Sequence, residues 1–259
     1  MPLRYYQTMK TAAVDEIFAS VQGEGPWIGQ RHIFVRFIGC DIRCEYCDTS
    51  AAAHGRNAGQ ETAWCRAQKS LSSFERERVP ANLSPGRLSE LCSRLIVPGP
   101  SRPTISLTGG EPLLQSDFLA AWLPEIRSRF HIYLETNGLH DEAVKGLGAM
   151  IDTVSMDFKL PSATGLRPFW DEHRRFLAAA RGRSLFVKAV VTSGTAREDI
   201  MTSADIIAGH DASLAFVLQP ASGPLAPDPA LLVEFQNAAL GVIGDVRVIP
   251  QAHKILKVP

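Results

Sequence analysis

Arg31-His32-Ile33-Phe34-Val35-Arg36-Phe37-Ile38-Gly39-Cys40-Asp41-Ile42-Arg43-Cys44-Glu45-Tyr46-Cys47-Asp48-Thr49 decides how this chain is read. The first half is a β-branched and aromatic run, the pattern of a buried strand. The second half carries C-x3-C-x2-C, one thiolate too few for a closed metal site, since structural zinc sites and ordinary iron–sulfur clusters use four protein ligands. Cys40, Cys44 and Cys47 around a 4Fe-4S cube would leave one iron open to bind and reduce a small molecule. The competing reading is a Cys3His zinc knuckle completed by His54, in a non-enzymatic zinc-binding module. A knuckle needs little else from the chain, whereas here a strand precedes the loop and a glycine-rich motif follows it. Cys65 and Cys92 have no ligand spacing. Cys92 occupies an apolar position of a helical stretch and is expected in the core; Cys65 reads as incidental.

The surrounding composition fits a small-molecule site in a folded domain. A chain of 259 residues with 45% hydrophobic content can bury a substantial core. Lys+Arg 27 balances Asp+Glu 27, so no electrostatic footprint argues for nucleic acid or an anionic membrane. The N-terminus lacks an apolar signal region, and no run approaches the ~18 apolar residues of a membrane span. A cytoplasmic protein is expected, where thiols stay reduced and free to ligate metal.

From Arg31 onward extended apolar runs alternate with helical patterns, the signature of βα units and a parallel sheet. Six strands are predicted, at 33–39, 104–108, 132–135, 153–158, 185–191 and 214–218. Helices are predicted at 87–96, 117–129, 141–147, 168–181, 197–207 and 229–240, with Ser116 and Asp228 as caps or first-turn residues and a kink at Pro124. The fold class is α/β, a partial (β/α)6 barrel of TIM type, and one domain spans 1–259. Residues 50–85 are polar with weak periodicity and read as an insertion or flap. In barrels chemistry collects at the carboxyl ends of the strands. Here those ends carry the cysteine loop, Thr108-Gly109-Gly110-Glu111-Pro112, Glu135-Thr136-Asn137-Gly138, Ser155-Met156-Asp157-Phe158-Lys159, Thr192-Ser193-Gly194 and Gln219-Pro220.

Gly109 and Gly110 remove Cβ atoms where a backbone must run close to a ligand, and Glu111 adds an acceptor before Pro112. Alone this is also the composition of a tight turn. One βα unit after a cysteine triad, it resembles the motif that holds the S-adenosylmethionine (SAM) ammonium in the radical SAM superfamily, and the cysteine loop resembles theirs too. Upstream lies Glu16-Ile17-Phe18-Ala19-Ser20-Val21-Gln22-Gly23-Glu24-Gly25-Pro26, whose glycines a surface hairpin would also explain. E-I-F-x-S-x-Q-G-E-G, F-V-R-F-x-G-C, C-x3-C-x2-C-D-T and T-G-G-E-P, in this order, resemble 7-carboxy-7-deazaguanine synthase. The glycyl-radical-enzyme activases share the cysteine spacing and often Gly-Gly-Glu; the Gln-Gly-Glu-Gly block separates this chain from them.

The resemblance implies a radical SAM fold and a carbon–nitrogen lyase of queuosine-type biosynthesis. It would convert 6-carboxy-5,6,7,8-tetrahydropterin to 7-carboxy-7-deazaguanine with loss of ammonia. The implied cofactors are a 4Fe-4S cluster on Cys40, Cys44 and Cys47, SAM, and Mg²⁺ at Thr49, whose hydroxyl would otherwise cap a turn. Implied SAM contacts are Tyr46, Cys47, Asp48, Gly110, Glu111, Asn137, Ser155, Met156, Asp157 and Gln219. The family's frequent Ser-Pro-Lys is Ser-Met-Asp-Phe-Lys here, so the contact falls to Asp157 or to Lys159. Asn137 and Gln219 would otherwise be ordinary loop polars. Implied substrate contacts are Val21, Gln22, Gly23, Glu24, Arg36, Thr108, His253 and the terminal Pro259. Arg36 shares strand parity with Cys40, and an Arg there needs an anion: the substrate carboxylate, or Glu16 or Asp15. The resemblance also implies an electron donor such as flavodoxin or ferredoxin, and a homodimer.

Overall fold

The computed structural model describes residues 10–49 and 64–259. His54, and with it the zinc knuckle, lies outside the described residues, as do 50–63 of the expected insertion. The chain enters as β1 (Ala12–Val21), turns through a 3-10 segment at Gly25–Trp27 and returns antiparallel as β2 (Arg31–Phe37). β3 (Trp64–Ser70) and β4 (Ser73–Pro80) form a hairpin; β3 lies parallel to β1, and β5 (Asn82–Leu83) pairs with the start of β1. Then follow α1 (Pro85–Ser93), β6 (Thr104–Gly109), α2 (Ser116–Ile126), β7 (His131–Thr136), α3 (Asp141–Leu147) and β8 (Thr153–Phe158). The short α4 (Pro161–Thr164) precedes α5 (Trp170–Ala179), β9 (Ser184–Val191), α6 (Arg197–Asp211), β10 (Phe216–Pro220), α7 (Pro229–Leu240), β11 (Val246–Val248) and α8 (Ala252–Leu256).

One sheet runs in the order β11-β10-β9-β8-β7-β6-β2-β1-β3-β4, with β2 and β6 to β11 parallel. Its first and last strands do not pair, so the barrel is partial. Strand alternation explains both its stability and its chemistry. Ile33, Val35 and Phe37 of β2, Ile132 and Leu134 of β7, and Val154, Met156 and Phe158 of β8 point outward into the core beneath the helices, where all are buried. Each such side chain contributes roughly 1.5–3 kcal/mol of apolar burial. That leaves the inward positions free to be polar. One end of the interior is filled by Tyr133, Phe186 and Val217 with Trp27 packed on them.

All six expected parallel strands and all six helices form, with ends shifted by a few residues. Asp228 caps α7 by accepting from the Ala230 N–H at 2.7 Å. Ser116 is the first residue of α2, in its first turn and not its cap, after a 3-10 turn at Pro112–Gln115. Pro124 lies inside α2, which stops at Ile126. Several elements have no counterpart among the expected ones, five strands and the two short helices at Pro161–Thr164 and Ala252–Leu256. β1 carries Asp15 and Glu16 at its centre, which breaks the apolar run, yet both carboxylates are buried and ion-paired with Arg66 of β3. The segment read as a flap is, from Trp64 to Leu83, a sheet-extending hairpin and a short strand; its arginines hid a pattern in which Cys65 and Ala67 face the core. Cys65 is therefore a core residue like Cys92, and burial lifts its thiol to about 12. β11 is three residues long, too short for periodicity to register.

Candidate active site

A cavity of about 540 Å³ opens inside the partial barrel. Each of the six central parallel strands contributes a polar inward side chain to it, Arg36, Thr108, Glu135, Asp157, Lys188 and Gln219, and β2 and β9 add Phe34 and Val190. The β1–β2 connection, the cysteine loop, the segment after β10 and the chain's last residues also line it.

The cysteine loop follows β2. Cys40, Cys44 and Cys47 are free, partly exposed thiols, and Cys44 and Cys47 line the cavity. Burial raises the Cys40 thiol to about 11 and lifts Cys44 as well, so ligation by either would release a proton. Among the described residues no three His, Cys, Asp or Glu side chains converge as they would on a single ion. A multi-iron cube asks for thiols spread around it, and three unpaired thiols on one short loop beside the cavity suit that group by donor chemistry. The Thr49 hydroxyl lines the cavity and donates to the Gly109 carbonyl at 3.2 Å, which leaves its oxygen able to accept or ligate. Tyr46 also lines the cavity; its hydroxyl is buried without a hydrogen-bond partner among the described residues, and the Lys159 ammonium lies 5.5 Å from its ring centre.

Gly110 is fixed by a close approach: a Cβ there would overlap the Gly39 carbonyl and crowd the Cys40 Cβ at 3.2 Å. Only glycine lets the end of β6 dock on the cysteine loop, and the Gly110 N–H donates to Phe37 O at 3.1 Å. Glu111 is fully buried behind the wall. Its carboxylate accepts from the Leu113 N–H at 3.0 Å, the Thr136 hydroxyl at 2.9 Å and the Asn137 N–H at 2.7 Å. Burial raises it above the usual carboxylate range despite those donors. Glu111 thus braces two strand ends, while the backbone of Gly110 and the side chain of Asn137 reach the cavity. The Asn137 amide also donates to Asp41 at 3.0 Å, tying β7 to the cysteine loop.

Gln22 and Glu24 enter from the β1–β2 connection. The Gln22 amide donates to Glu135 at 3.0 Å, and the Thr108 hydroxyl donates to the other Glu135 oxygen at 2.7 Å. Glu24 pairs with the Lys188 ammonium and accepts from the Gln251 amide at 2.8 Å. Burial opposes its charge, but Lys188 and Gln251 outweigh this and hold the carboxyl down at about 2. Lys188 is buried and kept protonated, because Glu24, Asp157 and Glu135 overcome its desolvation. Gly23 makes the second close approach: a Cβ there would overlap the His253 ring. The Ala252 N–H donates to Gly23 O at 2.9 Å, Gln251 donates to Asp48 at 3.1 Å, and Lys254 pairs with Asp48 at 3.0 Å. The last residues form a strap bridging Gly23 and the cysteine loop, and Val21, His253 and Pro259 line the cavity.

Several expected residues lie differently. Arg36 lines the cavity, but its Nε donates to Glu16 at 3.1 Å, the ion-pair alternative; Arg66 and Arg76 of the hairpin grip the same Glu16 carboxylate. Met156 occupies the outward face of β8 and belongs to the core. Ser155 faces inward but lies buried outside the cavity wall. Asp157 reaches the cavity and pairs with Lys159 at 3.0 Å, so both halves of the Asp157-or-Lys159 choice stand together. Gln219 is buried, with its Oε1 lacking a partner among the described residues. Glu135, Lys188 and Gln251 were missed. Lys188 carries a signal, since a lysine inside the apolar run Leu185–Val191 has to be paired or functional, and Glu135 stands at one of the strand ends where chemistry collects; Gln251 does not stand out from ordinary polar residues.

A parallel-stranded partial barrel with a cysteine triad at one strand end and a glycine pair docked on it defines a class. Residues 34–199 match the model of the Radical SAM superfamily, to which the chain belongs. It is 38% identical over 254 residues to the 7-carboxy-7-deazaguanine synthase of Geobacter sulfurreducens, covering 95% of this chain and 97% of that protein. It is 33% identical to the synthase of Methanopyrus kandleri, over 94% and 92% of the two chains. The crystal structure of QueE from Escherichia coli shares the fold, with a TM-score of 0.60 at 20% identity over 93% of this chain and 94% of that one. The chain belongs to the 7-carboxy-7-deazaguanine synthase family. Membership of the radical SAM superfamily implies a 4Fe-4S cluster and SAM. Among the described residues no helix is long and apolar enough to cross a membrane.

Proposed function

We propose that this chain converts 6-carboxy-5,6,7,8-tetrahydropterin to 7-carboxy-7-deazaguanine with release of ammonia. The carrying observation is that the family's separate motifs meet around one cavity: the cysteine triad, Gly110, Gln22 to Glu24, and the strap that ends at Pro259. In this reading Cys40, Cys44 and Cys47 hold the cluster, which together with SAM supplies one-electron chemistry when bound. SAM lies against Tyr46, Cys47, Asp48, the Gly110 backbone, Asn137, Asp157 and Gln219. Asp157 Oδ1 and Gln219 Oε1, buried with no partner among the described residues, support this, because buried acceptors without partners are costly and suit ligand donors. The pterin lies toward Val21, Gln22, Gly23, Glu24, Thr108, His253 and Pro259, where an ionised Glu24 accepts from paired ring N–H and amino donors. Arg36 turns from Glu16 to the substrate carboxylate, and Arg66 with Arg76 keep Glu16 neutralised when it does. Thr49 would hold Mg²⁺, which would supply positive charge to neutralise that carboxylate. A reduced donor such as flavodoxin or ferredoxin, a cytoplasmic setting and a homodimer complete the proposal. The test is an anaerobic assay of the cluster-reconstituted protein with the carboxytetrahydropterin, SAM and dithionite. Formation of 7-carboxy-7-deazaguanine is expected; SAM cleavage without that product would overturn the substrate assignment.

A further inference from the structure

Lys188 belongs to neither ligand's expected contact set, yet it stands between the two. It projects from the middle of β9, in register with Asp157 on β8. Its ammonium pairs with Glu24 and lies 3.7 Å from Asp157 Oδ2. Lys159 approaches the same Asp157 oxygen at 3.0 Å, while Asp157 Oδ1 is buried with no partner among the described residues. One oxygen of Asp157 is therefore held by two lysines, and the other awaits a donor. Glu24 is held on one oxygen by Lys188 and on the other by Gln251.

Resting on the ligand placement proposed above, we infer that Lys188 is a positioning residue that couples the two ligands, so that bound SAM tightens binding of the pterin. Two carboxylates share one buried ammonium. A ligand donor on Asp157 Oδ1 stabilises that carboxylate and weakens its claim on Lys188. The ammonium then sits more fully on Glu24 and fixes its free lone pairs toward the pterin. By linkage the pterin tightens SAM to the same extent.

The test is equilibrium dialysis of the carboxytetrahydropterin against cluster-reconstituted protein with the cluster oxidised, so that nothing turns over, with and without saturating SAM. In the native protein SAM should lower the pterin Kd by about fivefold or more, the usual lower range of such coupling. In Lys188→Gln this enhancement should fall to near unity. In Lys159→Gln, which removes a cation from Asp157 without touching Glu24, it should persist. Equal enhancement in native protein and Lys188→Gln, or none in the native protein, overturns the inference. If Lys188→Gln does not fold, Glu24→Gln in the native-lysine background decides. Weaker pterin binding with the SAM enhancement lost supports the coupling. Weaker binding with the enhancement intact refutes it and leaves the proposed function standing. Unchanged pterin affinity would instead refute the placement of Glu24 at the substrate.

Discussion

Replacing Gly23 by alanine adds one methyl where the His253 ring already lies. The methyl is held by backbone between β1 and the Gly25–Trp27 turn, so the strap has to give way. Overpacking of this kind costs about 1–3 kcal/mol. The strap is anchored by the Ala252 to Gly23 hydrogen bond at 2.9 Å, the Gln251 bonds to Glu24 and Asp48, and the Lys254 to Asp48 pair at 3.0 Å. Each hydrogen bond is worth about 0.5–1.5 kcal/mol net, and the exposed ion pair less. Clash and anchorage are of the same size, so the strap should leave its seat in a large share of molecules. Pterin affinity should fall roughly 5- to 150-fold, the range that 1–3 kcal/mol spans. The melting temperature should fall by only several degrees, at about 2–4 °C per kcal/mol in a chain of this size, because the core beneath the helices is untouched. Pterin affinity by equilibrium dialysis and proteolysis of the last residues form the assay. Native affinity together with native protection of the terminus would refute the reasoning.

Two further outcomes follow from charge. Glu24 titrates at about 2 instead of near 4.5, so its ionised form stabilises the fold; this contribution is complete above about 4.5 and disappears as pH falls through about 2. The unfolding free-energy difference between native protein and Glu24→Gln should shrink across that window in acid denaturation, and a constant difference would show that Glu24 is not held this way. Arg36→Lys should weaken pterin binding strongly, since lysine cannot reproduce a bidentate contact, while SAM affinity measured by dialysis stays within about twofold; the reverse pattern would move Arg36 away from the substrate.

The chemistry of this protein is largely local, and so it is legible in sequence. C-x3-C-x2-C is a fixed spacing within one loop, the glycine pair marks a close backbone approach, and the β2 and β6 to β10 runs carry their period in consecutive residues. Alternation also placed Arg36 on the cavity side. What sequence left open depends on partners far along the chain. Whether Arg36 faces an ion pair turns on Glu16 in β1 and on Arg66 and Arg76 in a hairpin whose charges masked its strands. Glu111 looked like a ligand contact, but the folded chain surrounds it with three internal donors. The Lys188 to Glu24 pair joins residues 164 positions apart, and Gln251 meets Glu24 across 227. Local propensity carries no record of such meetings; the closing of the sheet into a partial barrel makes them, and with them the electrostatics of the site.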